Sequence, residues 1–150
     1  MTDASQKLAE FAVGLTWERI PPEVIERAKD CLIDTVAACV YGSQLPWTQT
    51  VIEYARRNSA AGECSVFGTP VKVRAPFACL CNGAAAHGFE LDALVEPSVG
   101  IHPSAALAVP GLAPAQGRKL SGKALLAAYV AGFEVLHRIA SMASGGMDTL

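Results

Sequence analysis

The chain has 150 residues, 51% of them hydrophobic and 17% charged, and a formal net charge of -2. That length suits one domain with one core, and the scattered basic residues exclude the dense Lys/Arg footprint of a nucleic-acid partner. The opening MTDASQKLAEF carries Asp3 and Glu10 and no apolar run, so no signal peptide is expected. The most apolar stretch, Ala124 to Val135, contains Glu134 and is too short to cross a bilayer. The protein is therefore expected in the cytoplasm, or in an organelle matrix, with no membrane partner.

The helical elements follow in chain order. Asp3 or Ser5 can cap a first helix, whose apolar stripe is Leu8, Phe11, Ala12 and Leu15 at i, i+3, i+4, i+7. Pro21-Pro22 opens a second helix, with Glu23 at its positive end and Gly42 at its close. A third runs from Trp47 to Asn58, with Val51, Ile52 and Ala55 inward. Between Ala61 and Val73 the pattern changes. Cys64, Val66, Val71 and Val73 flank Gly68-Thr69-Pro70, which predicts a short β-hairpin or extended arm near residues 63–73. Helical periodicity returns at Ala75, with Pro76 in the first turn, and continues through AAAHGFELDA.

A break follows at Glu96-Pro97-Ser98-Val99-Gly100, where Pro and Gly both oppose a helix. His102-Pro103-Ser104 opens an alanine-rich helix to about Ala115, kinked at Pro110 and ended by Gly117. The last helix spans Ala124 to about Met142, and the tail from Ala143 has no periodicity. The fold class is all-α, about five to six helices with one short β-arm. The abundance of alanine suits closely packed helices. The high apolar content implies that part of the surface is covered by something outside the chain, so a homo-oligomer is expected.

Five cysteines, Cys31, Cys39, Cys64, Cys79 and Cys81, form an odd set in a cytosolic composition, which argues for free thiols. Cys79 and Cys81 are two apart in a helical pattern and so point to different faces. No Cys/His pair completes a zinc spacing.

One region concentrates titratable groups in an apolar setting. His87, Glu90 and Asp92 close one helical pattern, and His102 opens the next. His87 and Glu90, three apart, would share a helix face. A histidine and a carboxylate can exchange protons at neutral pH. His102 at a helix start could face an anionic substrate together with nearby backbone N–H groups. A metal site from His87, Glu90, Asp92 and His102 is conceivable, but the loop between the pairs leaves their geometry unfixed, and no metal is predicted.

These residues carry a resemblance. NGAAAHGFELDA, a loop, and then HPSAALAVPGLAPAQGRKLSGKALLAAYVAGFEVLHRIA resemble the MmgE/PrpD family, and so do the earlier RAKDCLIDTVAACVYG and VFGTPVKVRAPFACLCNGAAAH. The family's usual form is NG-x-x-x-H-x-x-D-x-D-D-T-H, a short loop, HP-[GS]-A and a helix with G-[YF]-E near its end. Its members include 2-methylcitrate dehydratase, cis-aconitate decarboxylase and iminodisuccinate epimerase.

The resemblance implies the N-terminal part of a cofactor-independent lyase acting on a small di- or tricarboxylate. His102, Glu90 and Asp92 would be catalytic, and His87 and Ser104 would contact substrate. Glu90 stands where the family has its first Asp, Ala93 where it has its third, and Leu94 where a Thr lines the substrate site. The family's further helices, its second α+β domain, and the later active-site histidine, lysine and tyrosine have no counterpart in residues 1–150. The chain alone is therefore expected to be inactive, working with a second copy or with a chain carrying the remainder. The alternative is a non-catalytic helical subunit or assembly domain derived from that family.

Overall fold

The structure is a computed structural model that describes residues 3–95 and 100–144. Its described elements are six helices, one 3₁₀ turn, one π-helical turn and a two-stranded sheet. The all-helical expectation with a small β-arm holds. Helix α1 (Ala4–Gly14) is capped by Asp3, whose carboxylate accepts from the Ser5 N–H at 3.3 Å. A 3₁₀ turn at Trp17–Arg19 leads into α2 (Pro22–Gly42), with Pro22 in its first turn. Helix α3 (Pro46–Asn58) buries Thr48, Ile52 and Ala55.

The predicted arm is a hairpin of β1 (Cys64–Ser65) and β2 (Lys72–Val73), antiparallel, with Cys64 opposite Val73. Helix α4 (Ala75–Ala86), α5 (Val109–Arg118) and α6 (Gly122–Ser144) complete the fold.

Three buried clusters hold these elements. Ile52, Ala55, Cys64, Val66, Val73, Ala78, Cys81 and Ala113 join α3, the hairpin, α4 and α5. Ile20, Ala28, Leu32, Ala108, Leu126, Tyr129 and Val130 join α2 to α6. Cys39, Ala85, Ala86 and Val109 fill the place where α2, α4 and α5 meet. Gly42 ends α2 as expected and has a second duty. A methyl group there would overlap the Ala85 carbonyl, so only glycine lets α4 lie this close.

Asn82, buried on α4, ties the hairpin down. Its Oδ1 accepts from the Phe67 N–H at 2.9 Å and its Nδ2 donates to the Ser65 carbonyl at 2.9 Å. All five cysteines are free thiols. Burial pushes the Cys39 thiol up to about 12 and the Cys81 thiol up to about 11.

The structure moves three expected boundaries. The helix beginning at Ala75 stops at Ala86 instead of running to Asp92, because Phe89 leaves the helical path to dock between Tyr41 and Trp47, at ring centroid distances of 4.7 and 6.2 Å. Gly88 beneath it is hemmed in by Leu45, the Ala84 carbonyl and Trp47. Gly117 does not end its helix. It lies inside α5, and the end falls at Lys119, which adopts the left-handed conformation at φ 52.

Between His102 and α5 lies a π-helical turn, Ser104–Ala108, rather than regular helix. Pro110 has no N–H to give the Ala106 carbonyl, so the ladder slips by one residue and the Val109 N–H reaches back to the Ser104 carbonyl. Within helix α6, the 21 residues Gly122–Met142 are long and apolar enough to cross a bilayer by length and composition. That span exceeds the Ala124–Val135 stretch. Here it buries Leu126, Tyr129, Val130 and Ala140. Residues 96–99 of the expected break, and 145–150 of the tail, lie outside the described residues.

Asn82→Ala strands one hairpin N–H and one carbonyl in the interior. Each unsatisfied buried group costs about 1–3 kcal/mol, so urea unfolding should show a loss of at least ~2 kcal/mol. A variant with an unchanged urea midpoint would show that the hairpin is not held from α4.

Candidate active site

The site forms where the chain leaves α4 and returns toward α5. His87 caps α4, and the turn that follows is closed by the Glu90 N–H donating to the His87 carbonyl at 3.2 Å. Glu90 has φ 54, the left-handed region that a non-glycine residue rarely occupies. His87 and Glu90 therefore do approach, with His87 Nε2 4.0 Å from Glu90 Oε1, but across a turn rather than along a helix.

The next segment folds back on itself. The Val95 N–H donates to the Ile101 carbonyl at 3.1 Å, in an isolated antiparallel bridge. This bridge brings His102 back over Asp92. The relative placement of Asp92 and His102, which spacing left open, is thereby set.

Asp92 is the centre of the result. Its side chain has 0% exposure. His87 Nδ1 lies 3.0 Å from Asp92 Oδ1 and hydrogen-bonds to it when that nitrogen carries the proton. His102 Nδ1 lies 3.3 Å from the same oxygen, at ion-pair distance when the ring is protonated but outside the hydrogen-bonding direction. The two imidazoles meet edge to face, with centroids 4.7 Å apart. Among the described residues Asp92 Oδ2 has no hydrogen-bond partner, and neither has His102 Nδ1. A buried carboxylate costs several kcal/mol unless compensated. Here the compensation comes from two rings of which the outer edges remain accessible, with side-chain exposures of 45% for His87 and 26% for His102.

Such a set can take up, hold and release a proton at the surface while its counter-charge stays dry. Glu90, at 78% exposure, stands at the rim. Ser104 is fully buried with an unpartnered hydroxyl, so it lies behind His102 rather than at the mouth.

Two features were not legible in the residues. The first is the rank of the acids. Asp92, not Glu90, contacts both histidines, and only the loop closure reveals it. The second is the cations. Lys72 lies on β2 and Arg74 caps the start of α4, the opposite end of that helix from His87. They belong to the arm. Among the described residues no lysine or arginine pairs with Asp92 or Glu90. Behind the loop lies a separate apolar cavity of about 300 Å³, lined by Arg27, Leu94, Val95, Pro103, Tyr129 and Phe133 among others. Burial raises the Tyr129 hydroxyl well above the ordinary tyrosine range. The histidine cluster does not line this cavity.

Residues 6–148 match the MmgE/PrpD N-terminal domain. The chain belongs to the MmgE/PrpD family. It is 28% identical over 141 residues to a cis-aconitate decarboxylase of Aspergillus terreus, covering 90% of this chain and 28% of that protein. It is 30% identical over 156 residues to the cis-aconitate decarboxylase-like protein oryM of Aspergillus oryzae, covering 99% of this chain and 32% of that protein. It is 30% identical over 149 residues to the human cis-aconitate decarboxylase, covering 96% of this chain and 31% of that protein. This MmgE/PrpD domain thus spans under a third of the length of these relatives.

The left-handed Glu90 gives a test of what its backbone costs. A side chain in that region is strained by about 1–2 kcal/mol, against roughly 0.5–1 kcal/mol of extra flexibility that glycine brings to the unfolded chain. Glu90→Gly should therefore leave stability within about 1 kcal/mol of the parent or raise it, whereas the β-branched Glu90→Val should lower it. Equal losses in both variants by urea titration would show that the carboxylate contact, not the backbone, dominates this turn.

Proposed function

We propose that this chain is the N-terminal, proton-transferring part of a cofactor-independent lyase for a small di- or tricarboxylate, with cis-aconitate and 2-methylcitrate as the first substrates to try. The observation that carries the reading is a buried Asp92 carboxylate that backs two accessible imidazoles in a MmgE/PrpD domain. The relatives named cis-aconitate decarboxylase support the substrate class.

In this reading His102 is the acid–base group at the reacting carbon. In a dehydration, a base removes the proton beside a carboxylate, and the hydroxyl on the next carbon takes a proton from an acid and leaves as water. In a decarboxylation, the carbon–carboxylate bond breaks, carbon dioxide leaves, and the carbon that keeps the electron pair takes a proton. Either course needs one group that changes protonation state at neutral pH, and a histidine does this. Glu90 and His87 stand at the rim, where substrate contact is open to them. Asp92 has no surface, so its part is to orient the rings; it is a positioning residue. The cations that such chemistry requires for the substrate carboxylates come from outside the described residues.

A second reading, a non-catalytic helical assembly domain, is favoured by one observation. Leu94 and Leu91 beside the site are 50% and 68% exposed, and Ile33 on α2 is 68% exposed. Such apolar surface is usually covered, and both readings lead us to propose self-association or docking on a chain that carries the remaining family segment.

In an active assembly containing this chain, His102→Ala should lower turnover by roughly 10²-fold or more, the usual range for a lost acid–base group. Glu90→Gln should lose activity and keep the fold. Asp92→Asn should lower kcat with little change in KM, the mark of an orienting role. Saturating kinetics unchanged by His102→Ala would remove the lyase assignment and leave the assembly reading.

The isolated 150-residue chain should turn over neither 2-methylcitrate, citrate nor cis-aconitate by absorbance assay, because removing members of a cooperating catalytic set costs nearly the full effect. Turnover comparable to a full-length relative would mean that the site is complete within this chain.

A further inference from the structure

The same cluster has valences that proton transfer does not use. Among the described residues Asp92 Oδ2 and His102 Nδ1 are buried polar atoms that make no hydrogen bond. Orphan polar groups of this kind are rare and call for an explanation. One ligand atom from each of His87, Asp92 and His102 lies within 4.8 Å of the others, and the two His–Asp separations are 3.0 and 3.3 Å. Ligands bound to one zinc ion at about 2.1 Å, at a tetrahedral angle, lie roughly 3.4 Å apart. The two His–Asp separations are close to that.

We propose that His87, Asp92 and His102 form a divalent transition-metal site that takes Zn²⁺. Two imidazoles and one carboxylate are a borderline-soft donor set of the kind zinc accepts, and three ligands leave a fourth coordination position free. Glu90 lies on the other edge of the His87 ring, 4.0 Å from Nε2, and is not one of the three ligands. The buried carboxylate supplies the charge that makes the site attractive to a dication. The fold supplies the preorganisation, because the Val95–Ile101 bridge holds His102 in place without metal.

Metal coordination consumes the nitrogen lone pair that a proton would occupy. Zinc and acid–base chemistry are therefore mutually exclusive at His102, and the metal acts as an antagonist rather than a cofactor. That last consequence rests on the lyase reading; the binding itself does not.

The test uses the 150-residue chain and zinc chloride alone. Calorimetric titration should give saturable binding of one zinc per chain. Imidazole ¹H–¹⁵N spectra of the parent protein should show the His87 and His102 signals moving together while His137 stays fixed. Loss of even an outer-shell partner typically costs about 10–100-fold in metal affinity, so Asp92→Asn and His102→Gln should each weaken binding at least about tenfold, and His137→Gln should not. Absence of saturable binding, or shifts confined to His137, would overturn the proposal, and the spectra of the parent protein decide it even if a variant fails to fold. Zinc binding without any lyase activity in an assembled enzyme would leave this site standing and remove the lyase reading alone.

Discussion

A carboxylate with no exposed surface must be answered from within the protein, and here the answer falls to two imidazoles. Asp92 fixes where His87 and His102 point, and so fixes how the chain leaves α4 and returns to α5. Removing either ring would leave a buried charge partly unmet, which is the situation that costs most in an interior. The rest of the fold serves this junction. Gly42 lets α2 and α4 close up beneath it, and Phe89 pins the turn above it between Tyr41 and Trp47.

Much of the scaffold was legible in the residues because it rests on local rules. Apolar spacing gave α1, α2, α3 and α6; prolines gave the starts of α2 and α4; and the Gly68-Thr69-Pro70 turn gave the hairpin. Where local rules competed with packing, packing won. The helical pattern through AAAHGFELDA is real as a pattern, yet the docking of Phe89 ends the helix early. Gly117, a good terminator by composition, lies inside α5, where even a methyl group would meet Cys64 only at ordinary contact distance.

The candidate site divides in the same way. His102 could be found from its motif and its place before a proline. Asp92 could be found as an acid, but not as the hub, because that role depends on a backbone bridge between Val95 and Ile101. No periodicity announces a single such bridge. Asn82 carried a signal that pointed elsewhere. It belongs to the family's NG motif, and its amide satisfies two backbone groups of the hairpin. A residue of an active-site motif is here a structural fastener one turn away from the chemistry.

The π-helical turn at Ser104–Ala108 has a geometric consequence of its own. An α-helix advances about 100° per residue, and a π-turn is a helix carrying one residue too many. Everything N-terminal to it is rotated by that angle relative to the face α5 would otherwise continue. Pro110 imposes the slip, so a residue eight positions away sets the azimuth of His102. A one-residue deletion within Ser104–Ala108 would change that phase and swing the imidazole about a quarter turn off Asp92. The phase of a helix, and not only its start, decides whether these two groups meet.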